Sequence, residues 1–182
     1  AQEPMTGHSL IRNLTVALDA AQSDVIVFCE DDDYYAPGYL SAVCQHLAQH
    51  DCCGEAPARY YHVGKRLWRE LPSDKHASLC ATAVRGKAHQ LFCDLLRRIS
   101  VPMIDVWFWA HVRNRQFDYR LEQTGNPRVV GVKGMPGRAG IGVGHRAGGD
   151  RWHLDEDLSR LKEWLGDDAD AYANFYDAPV RV

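Results

Sequence analysis

Residues 9–40 read SLIRNLTVALDAAQSDVIVFCEDDDYYAPGYL. Leu10, Leu14, Ala17, Leu18 and Ala21 recur at helical spacing, so the segment opens on a helix, which Ser23-Asp24 breaks. Residues 25–29, VIVFC, are a continuous apolar run rich in β-branched side chains, the pattern of a strand covered on both faces as in a parallel sheet. That strand runs straight into Glu30, Asp31, Asp32 and Asp33. Pro37-Gly38 then starts a second helix with Leu40, Val43, Cys44 and Leu47 on one face. Four adjacent carboxylates at a strand end favour a counter-ion: two like charges ~6 Å apart repel by about 3 kcal/mol at an effective dielectric of about 20. Ligands of open α/β sheets collect at that edge. Hard divalent cations such as Mg²⁺ or Mn²⁺ take carboxylate and phosphate oxygens. A solvated acidic loop preceding a helix is the plainer reading of the same residues.

The whole stretch resembles the family 2 glycosyltransferases of the GT-A fold. Their pattern is a helix with an Arg-Asn pair (here Arg12-Asn13), a hydrophobic strand, an acidic DxD motif, an aromatic pair, Pro and Leu. The resemblance implies a divalent metal, Mn²⁺ or Mg²⁺, that bridges the diphosphate of a nucleotide-diphosphate sugar donor. Carried over by position, Asp32 falls at the metal ligand. Asp31 or Glu30 faces the ribose or the second metal position, with Glu30 standing where the family more often has Asp.

A second segment, PMIDVWFWAHVRNRQFDYRL (residues 102–121), is similar to the part of that family that carries the catalytic base. Asp105 falls at the base, and Ile104 replaces the Glu that often precedes it. Inverting transfer needs one carboxylate to take the proton of the attacking acceptor hydroxyl. The structural rival is Asp105 as the N-cap of a helix over residues 106–112, and the two roles are compatible. Of Trp107, Phe108 and Trp109, one or two suit an acceptor platform, while Phe108 reads as core.

Residues 131–149 contain eight glycines and match neither the P-loop nor the dinucleotide fingerprint. Lys133, Arg138 and Arg146 interleave with them, placed either to meet phosphate oxygens or as solvated charges of a surface loop. The resemblance implies a loop that folds over the donor and a His that completes the metal site. His145 is the candidate and His153 the second choice.

Outward from these motifs, RYYHV and KRLWREL around Gly64 read as a hairpin. Residues 77–84, 117–121 and 129–133 read as strands, and residues 87–99 as a helix. A last helix carries Leu154, Leu158, Leu161 and Leu165, with Gly166 as its cap. The expected fold is α/β, a GT-A-like three-layer α/β/α arrangement with a mixed, mainly parallel sheet, partial at its N-terminus. Residues 1–150 form its core, and residues 151–182 add a helix and an acidic-aromatic tail packed on it. His46, His50, Cys52 and Cys53 are zinc-type donors at a spacing that matches no standard site, so a helix end with incidental histidines is the simpler reading.

The 182 residues, 46% hydrophobic and with a net charge of -3, describe a globular domain without a general basic field for nucleic acid. No apolar run approaches the ~20 residues of a membrane span. Six cysteines without a CxxC pair point to reduced thiols and the cytoplasm, with Cys29, Cys80 and Cys93 reading as buried hydrophobes. The resemblance also makes the length a puzzle. The family usually begins with a strand, helix and strand that grip the donor base, ahead of the helix at Leu10. A fragment, or a processed chain associated with a partner carrying that unit, is the expectation. Three function classes follow: a metal-dependent glycosyltransferase acting on an unidentified acceptor, a non-catalytic GT-A-like binding domain, and a metal-dependent phosphohydrolase or nuclease.

Overall fold

The computed structural model describes residues 9–99, 103–138 and 145–175. Helix α1 (Ser9–Ala20) turns Ile11 and Leu18 inward. Strand β1 (Val25–Val27) follows and pairs antiparallel with β6 (Thr82–Arg85), Ile26 opposite Val84. On its other side β6 pairs antiparallel with β3 (Cys52–Ala56), which lies parallel to β7 (Tyr119–Gln123). The first sheet therefore has the order β1-β6-β3-β7.

The acidic loop after β1 leads into β2 (Tyr34–Tyr35), which begins a second sheet. There β2 pairs with β8 (Val129–Lys133), and β8 runs parallel to β4 (Ala58–His62). Strand β4 forms the expected hairpin with β5 (Leu67–Leu71), and β9 (His153–Leu154) closes the order. Both sheets are mixed. Five of the seven pairings among the described residues are antiparallel, which corrects the mainly parallel expectation. An apolar run reports that a strand is covered, not which way its neighbours point.

Helices α2 (Tyr39–Leu47), α3 (Gly86–Arg98) and α4 (Ile104–Asn114) join α1 around the first core. Its centre is aromatic. Phe28 meets Phe92 at 4.5 Å, Phe92 meets Phe108 at 5.3 Å, and Phe108 meets Trp109 at 5.8 Å. Trp109 is fully buried, and its indole donates to Thr82 Oγ1 at 3.1 Å, so its polar end is satisfied.

Helices α5 (Ser159–Leu165) and α6 (Ala169–Ala173) pack on the second sheet, with Leu161, Trp164 and Leu165 against Tyr61, Val130 and Val132. The buried Asp155 carboxylate starts α5. It accepts from the Arg160 and Leu161 amides at 3.0 Å and from the Tyr61 hydroxyl at 2.9 Å. The last helix is shorter than expected. Leu154 belongs to β9 and is exposed, and Leu158 holds a left-handed conformation just before α5.

The expected strand over residues 77–84 divides into a 3₁₀ turn, Leu79–Ala81, and β6. Cys80 is buried and Cys93 half-buried, but Cys29 is exposed because β1 ends two residues before it. Among the described residues, no helix is long and apolar enough to cross a membrane.

Candidate active site

The loop between the two sheets positions the acidic cluster. Its turn is closed by the Asp33 amide donating to the Glu30 carbonyl, and the Glu30 amide donates to the Tyr35 hydroxyl at 2.8 Å. Lys133, at the end of β8, reaches into this loop. Its ammonium donates to Asp33 Oδ1 at 2.5 Å, Glu30 Oε2 at 3.2 Å and Asp32 Oδ1 at 3.3 Å. An ammonium has three hydrogens, and these contacts use all of them. Lys133, read from the sequence as a phosphate contact, is thus the internal counter-ion of the carboxylates. Their charges hold it above its ordinary range although burial opposes them.

Asp33 is the deepest of the four acids, its side chain 1% exposed. Burial pushes its carboxyl up, and Lys133 pulls it back. One of its oxygens, Oδ2, is buried without a hydrogen bond from nitrogen or oxygen. The Cys80 thiol, itself raised well above its usual range by burial, lies against the same carboxylate. Asp31 is exposed and pairs with Arg138 at 2.6 Å. Arg146 is exposed. His145 lies within electrostatic reach of Lys133, Asp32 and Glu30. Burial and Lys133 lower its pKa, so its ring is neutral near pH 7 and keeps a free lone pair. His153, by contrast, stacks on Trp68 at 4.5 Å, far round the second sheet on the other side of β5.

Asp105 is the second residue of α4, not its cap; Met103 holds the cap position. Its carboxylate accepts from the Val106 amide at 2.9 Å, and the Leu79 amide is near enough to favour its charged form. Burial raises its pKa, and these amides and the nearby His76 only partly offset that. The turn Leu79–Ala81 therefore borders both groups: the Leu79 amide favours the charged form of Asp105, and the Cys80 thiol lies by Asp33. Tyr60 lies within electrostatic reach of Asp105, Asp33 and Glu30. Its ring packs against Gly131, where a methyl group would come within 2.6 Å of it. Beside Asp105, Met103, Val106 and Trp107 are exposed, whereas Phe108 and Trp109 are fully buried. Only Trp107 of the aromatic triplet remains available as a platform.

Sequence reasoning missed Asp33, Cys80 and Tyr60. Asp33 stood in the quartet, but nothing local showed that it points inward. The roles of Cys80 and Tyr60 exist only across strands. The His46, His50, Cys52 and Cys53 group holds no site. His46 pairs with Glu122 and His50 with Asp118, both at 2.9 Å, while the two thiols are buried in β3 and raised by that burial.

A divalent cation fits this loop on charge. Glu30, Asp31, Asp32 and Asp33 face two cations, Lys133 and Arg138; with Asp33 raised to about 7 by burial, between one and two negative charges are left uncompensated near neutrality. Glu30, Asp33 and Cys80 also have ligand atoms within 4.8 Å of one another. Cys80 as a thiol is no ligand for a hard ion. Glu30 and Asp33 are the hard donors of that group; Asp32 and His145, the ligands the resemblance implies, lie outside it.

Compared with models of known families, residues 6–115 match glycosyl transferase family 2. That span contains the acidic loop, Tyr60, Cys80 and Asp105, and it ends before Lys133 and His145. No curated protein matches the chain.

Proposed function

Since this chain belongs to glycosyl transferase family 2, we propose that it moves a sugar from a nucleotide-diphosphate donor to an acceptor hydroxyl with inversion. The observation that carries this reading is the single turn, Leu79–Ala81, that borders both Asp105 and the acidic loop. A base for the acceptor and an anionic pocket for a cation thereby share one site. In this reading the two sheets and their helices form a three-layer GT-A-like core. Residues 151–175 serve as a buttress of that core, and residues 176–182 lie outside the described residues.

The chemistry follows from the residues. Asp105 removes the proton of the acceptor hydroxyl as that oxygen attacks the anomeric carbon. The bond from the anomeric carbon to the diphosphate oxygen breaks, and the electron pair leaves with the diphosphate. A pKa raised by burial makes the Asp105 carboxylate a stronger base than an ordinary aspartate. A Mn²⁺ or Mg²⁺ ion, when bound by Asp32, Glu30 and His145, would neutralise charge on the departing diphosphate. Arg138 and Arg146 lie on the segment after β8, suited to phosphate oxygens once Arg138 releases Asp31. Lys133 keeps the loop in place by holding Asp33. The free thiols suit a reducing compartment such as the cytoplasm.

The test is a thermal-shift screen of nucleoside diphosphates with Mn²⁺ or with EDTA, followed by donor hydrolysis and transfer assays. Metal-dependent stabilisation lost in Asp32→Ala supports the binding half of the reading. Turnover lost in Asp105→Asn with nucleotide binding intact supports the catalytic half. Binding without turnover in the wild-type chain would make it a non-catalytic binding domain.

A further inference from the structure

The second sheet buries three cations, Arg59 (4% exposed), Lys133 (4%) and Arg69 (7%). Arg59 is paired with Glu70 at 2.8 Å and bonds Thr124, and Lys133 is paired with three carboxylates. Arg69 differs. Its Nε is buried without a hydrogen bond, and among the described residues no carboxylate pairs with it. The charged group nearest in effect is another cation, Arg151. Burying a guanidinium beside a like charge is costly, and such an arrangement is relieved by an anion.

The fold places this pair on the site face. In β4 and β5, Tyr60 stands opposite Arg69, and in β4 and β8, Tyr60 stands beside Gly131 and His62 beside Lys133. Residues paired across a ladder point to the same side, so Tyr60, His62, Arg69 and Lys133 share one face. Pairing of β9 with Leu67 and Trp68 carries the preceding residues past Arg69, which brings the exposed Arg151 to its rim. Tyr60 thus stands beside Arg69 and is within electrostatic reach of Asp105, Asp33 and Glu30.

We propose that Arg69 and Arg151 form an anion site, on the same face as Asp105 and the acidic loop, that takes a carboxylate or phosphate group of a substrate. Planar guanidinium forks match both groups in a bidentate geometry. The site itself is independent of the transfer reading; whether its anion belongs to the acceptor or to the donor diphosphate rests on that reading.

The experiment uses the wild-type chain, Arg69→Met and the rim variant Arg151→Gln in calorimetry and thermal melts. The probes are glucuronate, glucose 6-phosphate, glucose, and uridine and guanosine diphosphates with Mn²⁺. The expected result is stabilisation by the anionic sugars and not by glucose, with affinity falling by about tenfold to a hundredfold in Arg69→Met. Unliganded Arg69→Met should melt no lower than wild type, because an unpaired buried charge is gone. Nucleoside diphosphate binding unchanged in Arg69→Met assigns the anion to the acceptor; an equal loss assigns it to the donor. The proposal is overturned if anionic and neutral sugars bind alike, or if Arg69→Met melts lower and still responds to anions. Should Arg69→Met not fold, Arg151→Gln decides: a lost anion response at unchanged melting temperature supports the site, and a retained one overturns it. Anion binding without any nucleoside diphosphate binding would count against the transfer reading alone.

Discussion

Gly54, in the middle of β3, has no room for a side chain. A methyl group there would lie 2.5 Å from Ala77 Cβ and 2.7 Å from Trp109 Cζ2, with the Ala81 carbonyl at 3.2 Å. Ordinary contact begins at 3.4 Å, so the two carbon contacts are short by 0.9 and 0.7 Å. Neither neighbour is a flexible end. Ala77 and Trp109 are fully buried, and Ala81 is 5% exposed. Overpacking of this kind costs about 1–3 kcal/mol. Removing a glycine from a strand returns about 0.5–1 kcal/mol. The rigid surroundings put the overpacking near its upper end, so Gly54→Ala should lose about 2 kcal/mol, or about 4–8 °C of melting temperature in a chain this size.

Because Ala81 closes the turn that holds Cys80 and Leu79, turnover should fall further than the lost stability explains. Urea melts of Gly54→Ala, Ala77→Gly and the double variant supply the check. The double variant opens the 2.5 Å contact and should recover about 1 kcal/mol through coupling of the two sites. If Gly54→Ala unfolds within about 0.5 kcal/mol of wild type, or the two substitutions simply add, the packing account of this turn is wrong.

Lys133→Met leaves Asp33 buried and uncompensated and should cost about 3 kcal/mol, read as a drop in thermal melting; a loss below about 1 kcal/mol would show that the ammonium is not the loop's anchor. Asp105→Asn should lower turnover by about 10²–10⁴-fold with the melting temperature nearly unchanged. In wild type, kcat/KM should fall as acid protonates the base, with that limb above the ordinary aspartate value of about 4, since burial raises Asp105; a limb at or below that value would contradict its burial. Glu122 is held below its usual range because His46 and Arg128 outweigh the opposing effect of burial. Its contribution is therefore present at neutral pH and lost as pH falls through the lowered value. The stability gap between wild type and Glu122→Gln should be open at pH 7 and close below about pH 4, and a gap independent of pH would remove this ion pair from the account.

The sequence-legible part of this protein is what local pattern encodes. Helix α1, β1, the hairpin of β4 and β5, α3 and β8 follow from periodicity and turn residues, and the acidic loop and Asp105 from their motifs. Strand β3 was not legible because CCGEA has too little hydrophobic contrast. Its glycine is demanded by Trp109, a residue 55 positions away in the chain. Strands β2 and β9 have two residues each, too short for any period. Strand direction was misread because covering helices leave the same apolar trace on parallel and antiparallel strands. Lys133 announced a cation near the site, but its partners lie about a hundred residues upstream, where only the pairing of β2 with β8 brings them.

Leu79 and Cys80 are neighbours in the chain, yet one lies by Asp105 and the other by Asp33. Consecutive Cα atoms sit about 3.8 Å apart across a trans peptide, a separation that thermal motion barely alters. In the proposed reaction, the spacing of Asp105 from the acidic loop is thus set in part by one peptide unit of a buried turn. The rim, where Met103, Val106 and Trp107 meet solvent, is free of that constraint.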